Sequence, residues 1–261
     1  MSARRVVLMT AGGTREPIDD VRHISNVASG RLPAAMAEHW LALGATVHYV
    51  HGPGAVIPGL LHVTEPLLEG DDDAFELTLH TLVARARERR QRIRAGTLHI
   101  YPVQTADETA RVVRTLAAQH RPDLAACAMA VADFAPVPVV GKLSSRPGGA
   151  MPGAMQLTLH PTAKVIDGVH EACPSTQVLG FKLLSGADEP AHVAAAQTLA
   201  QRAGASWVFG NDMADYRRGI RRGVLRDPTG VPLLDLGGTA GLSVSALATA
   251  LVNAVEARAR A

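Results

Sequence analysis

Arg15, Glu16, Asp19, Asp20, Arg22, Ser25 and Asn26 crowd into one short stretch between Gly12-Gly13 and Ser29-Gly30. Glycines let a backbone approach an anion, and the polar side chains between them can bind and orient a charged ligand. An apolar run, Val6-Val7-Leu8-Met9, precedes the stretch, and a helical pattern over residues 32–44 follows it. Strand, glycine-rich loop and helix in that order build a phosphate site in α/β proteins, because the first N–H groups of the helix point at the anion. The loop is neither of the common phosphate motifs. It reads Ala11-Gly12-Gly13-Thr14-Arg15-Glu16, without G-x-G-x-x-G and without the Gly-Lys-Ser/Thr of a P-loop.

Further along, Asp133 ends the apolar run 124–132 and falls at a strand terminus, where a carboxylate reaches a crevice or caps the next helix. Only Lys142, Lys164 and Lys182 are lysines among 26 basic residues, and all three lie in one stretch of the second half. A lysine there can do what arginine cannot, as a point charge on a flexible stem. Aromatic content is 3%, which makes Phe181, directly before Lys182, either a core residue or a ring bordering a base. Cys127 and Cys173 have no metal-ligand or redox spacing, and Cys127 sits in an apolar run as a core residue.

The elements that must position these residues alternate. Strands are expected over residues 5–10, 46–51, 98–103, 124–131, 178–183 and 206–209. Helices are expected over 31–43, 73–94, 106–119, 162–172, 192–203 and 243–258. That rhythm predicts an α/β, Rossmann-like parallel sheet with helices on both faces, its crevice at the carboxyl ends of the strands. A chain of 261 residues, 47% hydrophobic, fits one domain, residues 1–261, with its core built on Ala, Val, Leu and Ile. Two stretches interrupt the rhythm. Residues 65–94 are acidic and then arginine-rich, a charged helical insertion whose charges complement the helix dipole. Residues 136–157, rich in Pro, Gly and Ser, form a flap or hairpin excursion, and residues 224–235 read as a second hairpin. A net charge of +2 argues against a nucleic-acid partner. The lack of an 18-residue apolar stretch and of a leader pattern predicts a cytoplasmic protein with no membrane partner.

The run Gly12-Gly13-Thr14-Arg15-Glu16-Pro17-Ile18-Asp19, then Val21-Arg22, Ile24-Ser25-Asn26 and Ser29-Gly30, resembles the signature of phosphopantothenate–cysteine ligase. The resemblance continues through residues 128–134, Gly141-Lys142-Leu143-Ser144-Ser145, residues 179–183 and Gly210-Asn211-Asp212. It implies a stand-alone synthetase, a homodimer, that joins 4′-phosphopantothenate to cysteine through an acyl-nucleotide, with ATP or CTP as cosubstrate and Mg²⁺. By resemblance, Gly12, Gly13, Ser29 and Gly30 contact the triphosphate, with Lys142, Phe181, Lys182 and Asn211 completing the nucleotide site. Asn26 and Lys142 are the catalytic residues, Asn26 for acyl transfer and Lys142 for closing over the triphosphate. Arg22, Asn26, Ala130 and Asp133 hold phosphopantothenate, Arg22 from the neighbouring subunit, and Asp133 is the residue to meet Mg²⁺.

The chain departs from that pattern at Ala28, where a hydroxyl is expected, and at Leu184, where an acid is expected. After Phe181 it reads Lys182-Leu183-Leu184-Ser185, which leaves ATP and CTP both open. Other readings are a catalytically altered nucleotide-binding paralogue, a related acid–amine ligase, and an NAD(P)-dependent Rossmann oxidoreductase. The last lacks its Tyr-x-x-x-Lys pair, because Pro53, Thr105 and Ile220 stand four residues beyond the three tyrosines.

Overall fold

The computed structural model describes residues 4–59, 72–143, 156–238 and 240–259. In chain order the elements are β1 (Val6–Ala11), β2 (Arg15–Pro17), β3 (His23–Ser25), α1 (Arg31–Ala42), β4 (Thr46–His51), α2 (Asp72–Arg94), β5 (Leu98–Pro102), α3 (Ala106–His120) and β6 (Leu124–Cys127). There follow β7 (Phe134–Pro136), β8 (Leu159–Pro161), α4 (Asp167–Ala172), β9 (Gln177–Leu184), α5 (Glu189–Ala203), β10 (Trp207–Asp212), α6 (Met213–Arg217), β11 (Gly223–Arg226), β12 (Pro232–Leu236) and α7 (Val244–Ala259).

One sheet runs β12-β11-β10-β9-β6-β1-β4-β5. From β10 to β5 every neighbour is parallel. The hairpin of β11 and β12 adds two antiparallel strands at the β10 edge, so the sheet is mixed at that end. Alternation along β1 divides the core. Val7 and Met9 pack with α1 and α7 on one face, while Leu8 packs with α3, α4 and α5 on the other. Both faces are thus covered, as the strand–helix rhythm requires.

Helix starts follow capping chemistry. Thr105 accepts from Glu108 N at 3.2 Å at the head of α3, and Asp188 accepts from Ala191 N at 3.0 Å at the head of α5. The α5 cap moves its start to Glu189, ahead of the expected residue 192. α7 returns across α1 and is pinned at its far end. Trp40 Nε1 donates to Glu256 at 2.8 Å, and Arg5 Nε lies 3.1 Å from the same carboxylate.

Two expectations are corrected. β6 stops at Cys127 rather than residue 131, because Met129 N turns to donate to the Thr10 hydroxyl at 3.2 Å. Residues 162–166 precede the helix expected from 162, and α4 begins only at Asp167. The excursion after β6 starts as an antiparallel ribbon of β7 and β8, and its residues 144–155 lie outside the described residues. The opening loop also holds a ribbon of its own, β2 with β3.

The sheet order sets the position of the crevice. From β1 the chain goes through α1 to β4 on one side, while from β6 it goes to β9 on the other. The loops after β1 and β6 diverge, and the space between them at the carboxyl ends is the topological switch point.

Candidate active site

At the switch point the loops after β1 and β6 are sewn together by backbone. Gly13 bridges Ala130, and Ala130 N donates to Gly12 O at 2.8 Å. Thr14 Oγ1 accepts from Ala132 N at 3.0 Å. A Cβ on Gly13 would stand 2.5 Å from Asn26 O, closer than any side chain tolerates. Asn26 crosses the same seam, its Nδ2 donating to Val131 O at 3.1 Å and to Ala130 O at 3.5 Å. Its donor is therefore engaged within the chain, and Oδ1 is the atom it offers outward.

Beside this seam opens a cavity of about 760 Å³. Its walls include Ser29 and Gly30 at the head of α1, Ala130 and Asp133 after β6, Phe181 and Lys182 on β9, and Asn211 on β10. Gly30 caps α1 in the left-handed region, φ 71, with no side-chain cap and no acid in the first turn. Arg31 N is taken by the Ser29 hydroxyl at 3.5 Å and Pro33 has no N–H, so the head of α1 meets the cavity with its positive dipole end and the Leu32 N–H. Phe181 meets Phe209 edge-on, ring centroids 5.8 Å apart, with its other side on the cavity. The charged lining is mostly basic: Arg31, Lys164, Lys182, Arg202, Arg221 and Arg222, against the carboxylates of Asp133 and Asp212. Such a wall suits a polyanion.

Several of these charges are already held in place. Asp133 pairs with Lys164, Arg202 with Asp167 at 2.5 Å, and Arg222 with Asp215 at 2.6 Å. Arg221 sits over the Tyr216 ring, 5.7 Å from its centroid. Asp212 accepts from Gly186 N at 2.9 Å, Ala187 N at 3.1 Å and Ala214 N at 2.7 Å. The Gly186 N–H leads the effects that hold its carboxyl down to about 2. Asp212 is thus a permanent anion that ties the loop after β9 to the end of β10, beside Asn211. Cys127 also lines the cavity, and burial pushes its thiol up to about 12, so it is no thiolate nucleophile at neutral pH.

Magnesium finds little to bind here. Among the described residues no three His, Cys, Asp or Glu side chains are placed to hold a metal ion together, and Asp133 is engaged by Lys164. The donor set does not fit a resident metal.

Arg22 and Lys142 stand elsewhere. Neither lines the cavity. The structure brings them together on a side assembly, where the loop between β2 and β3 grips the stem of the excursion. Arg22 Nη2 donates to Leu143 O at 2.6 Å. Asp19 accepts from Val21 N, Arg22 N and Leu143 N at 2.8, 2.7 and 3.1 Å, and Asp20 accepts from Gly141 N at 3.0 Å. Burial of Asp19 works against its charge, but the three N–H donors outweigh it and hold the carboxyl below its usual range. Lys142 is exposed at this stem. Gly12 and Gly13 likewise leave the cavity wall to others and serve as the backbone beneath it.

Sequence reasoning missed Lys164, Arg202, Arg221 and Arg222. Lys164 carried a signal, since it is one of only three lysines and all lie in one stretch. The arginines carried none, being a few of many in this chain.

The chain matches the model of the DNA/pantothenate metabolism flavoprotein C-terminal domain over residues 2–64 and 81–227. It is 28% identical over 210 residues to the coenzyme A biosynthesis bifunctional protein CoaBC of Thermococcus kodakarensis, which spans 80% of this chain and 42% of that protein. It is 29% identical over 202 residues to the phosphopantothenate–cysteine ligase of Homo sapiens, spanning 69% of this chain and 64% of that protein. The chain thus spans less than two thirds of either relative. A solved Cab2 mutant in complex with phosphopantothenate-cysteine shares the fold, with a TM-score of 0.74 at 20% identity, over 98% of this chain and 86% of that one.

Proposed function

This chain belongs to the DNA/pantothenate metabolism flavoprotein C-terminal domain family, and on that premise we propose that it joins 4′-phosphopantothenate to cysteine at the expense of a nucleoside triphosphate. The observation that carries the reading is the basic cavity at the switch point, with the uncapped head of α1 on one wall and Phe181 on another. A triphosphate with its base meets both requirements: fixed donors for the phosphates and an apolar ring for the base.

The reaction has two steps. A carboxylate oxygen of the acid attacks the α-phosphorus, the α–β bridging bond breaks, and pyrophosphate leaves. The amine of cysteine then attacks the acyl carbon, the acyl–oxygen bond breaks, and the nucleoside monophosphate leaves as the amine loses a proton. Ser29, Gly30 and the first turn of α1 hold phosphates, and Lys182 and the neighbouring arginines neutralise charge on the departing pyrophosphate. Phe181 and Asn211 border the base. Ala130 and Asp133 take the acid. Asn26 stands on the seam between the loops, beside Ala130, where its Oδ1 can accept from the incoming amine and orient it. Magnesium enters with the triphosphate, as its companion rather than as a resident of the protein.

Arg22 and Lys142 act from a partner, on this reading. Val21, Phe134, Val137 and Val140 are exposed on the β2–β3 and β7–β8 ribbons, with Val140 96% exposed. An apolar face of that kind fits a homodimer contact, and a two-fold contact there carries Arg22 towards the other subunit's cavity. Both substrates and the nucleotide are small and water-soluble, which suits work in the cytoplasm.

The test offers ATP, CTP, GTP and UTP in turn with 4′-phosphopantothenate. Pyrophosphate is expected from ATP or CTP in a single turnover without cysteine, and the amide once cysteine is added. No pyrophosphate with any of the four would sink the proposal.

A further inference from the structure

Asp133 ends the run 130–133 that walls the cavity after β6, and its charge is the wrong one for an acid. A carboxylate that must attack phosphorus is repelled by a second carboxylate at contact distance. The cation that resolves this stands beside it. Lys164 Nζ donates to Asp133 Oδ1, and among the described residues Lys164 is the cavity cation paired with that run.

The chain on either side of Lys164 is fixed. Thr162 N donates to Asp133 O at 3.0 Å, and Thr162 Oγ1 donates to Ala132 O. Asp167 N donates to Lys164 O at 3.1 Å, and Val165 is buried in the core with α3, α4 and α5. Residue 164 is thus stitched to 132–133 by backbone as well as by charge. Asn26 meets the same run at 130–131, so Asn26 and Lys164 serve two ends of one short wall.

An ammonium has three N–H donors. Asp133 takes one, and among the described residues the side chain makes no other hydrogen bond, which leaves two for an occupant of the cavity. The two side chains are 47% and 70% exposed, so the pair adds little to stability and can open to a ligand. Lys164 is also one of three lysines among 26 basic residues. A compact ammonium on a flexible stem can pass from one oxygen to the next, whereas a guanidinium would lock two-pronged onto Asp133.

We propose that Lys164 is a further catalytic residue, whose ammonium binds the carboxylate of the acid and then the α-phosphate oxygens of the acyl-nucleotide formed from it. Asp133 is a positioning residue on this assignment and meets the acid through Lys164. The assignment rests on the ligase reading.

Calorimetry tests it with 4′-phosphopantothenate and its alcohol analogue, in which CH₂OH replaces the carboxylate. The unaltered chain should bind the acid about tenfold more tightly than the alcohol, the usual effect of one charge-assisted hydrogen bond. Lys164→Met should lose that preference and, with Asp133 left uncompensated, favour the alcohol. Adding Asp133→Asn should recover acid binding, a gain that only a folded protein can show. Retention of the preference in Lys164→Met, or a further loss of acid binding on adding Asp133→Asn, would overturn the assignment alone. No binding of either compound by the unaltered chain would sink the ligase reading and the assignment with it.

Discussion

Asn26 has its carboxamide nitrogen committed to the carbonyls of Val131 and Ala130, and this decides what it can contribute. On the proposed function this leaves Oδ1 to meet the incoming amine, so that Asn26 would orient that amine rather than donate to an acyl oxygen. Asn26→Ala should therefore leave nucleotide affinity within about twofold and retain the pyrophosphate burst. Amide formation should drop about 10²-fold, the usual effect of losing one well-placed polar contact. Rapid-quench separation of the two half-reactions checks this, and an equal loss in both would mean that Asn26 serves only to hold the turn at 130–131. The residue was legible in the sequence because it sits in a dense run of polar and glycine positions. Its committed donor was not, because that depends on β6 ending early and bringing residues 130–131 across. Lys164 and Arg202 were hidden for a related reason. Lys164 reaches the cavity from the turn before α4 and Arg202 from α5, and nothing in their sequence neighbours marks that destination.

At the scale of elements, β4, β5 and the end of α3 meet through stacked rings. His48 on β4 lies 4.6 Å from His99 on β5 and 4.0 Å from His120 of α3, centroid to centroid. Its Nδ1 is 3.0 Å from the Tyr101 hydroxyl. Burial first, then the charges of His120 and His99, lower the His48 imidazole from 6.5 to about 4. The unfolded chain then binds the extra proton between those values, so stability is full above pH 6.5 and is lost as pH falls towards 4. His48 alone accounts for at most about 3 kcal/mol of that loss. Thermal melts from pH 7.5 to 4.5 should show a falling midpoint, and His48→Gln should make the fall shallower. An unchanged slope in that variant would remove His48 from the account. The long elements here were legible from period and caps. The three-residue strands β2, β3, β7 and β8 were not, since three residues are too few to display an alternation. Asp19 and Asp20 tie the loop between β2 and β3 to residues 141 and 143 of the excursion by accepting their backbone N–H groups.

For the whole molecule, the proposed sharing of Arg22 across a dimer has an arithmetic consequence. Arg22→Ala and Asn26→Ala chains are each expected to be nearly inactive. Mixed in equal amounts after dissociation, half of the dimers carry one chain of each kind, and each such dimer has one intact site. About a quarter of full activity should return, whereas a site built within one chain returns none. The alternation of strands and helices was legible in the sequence, whereas the strand order that fixes the switch point, and the antiparallel pair at the β10 edge, were not. The exposed valines of the ribbons were not, because no local pattern says which apolar residue the fold will leave uncovered. α7 joins the two ends of the molecule in a further way. Val244 and Leu247 line the cavity at its start, while Glu256 near its end holds both Trp40 and Arg5. An occupant of the cavity would therefore meet α7 at the end opposite the one that holds α1. Amide hydrogen exchange along α7 should slow when nucleotide is bound, and a chain cut before Val244 should lose nucleotide and the cooperativity of its melting together.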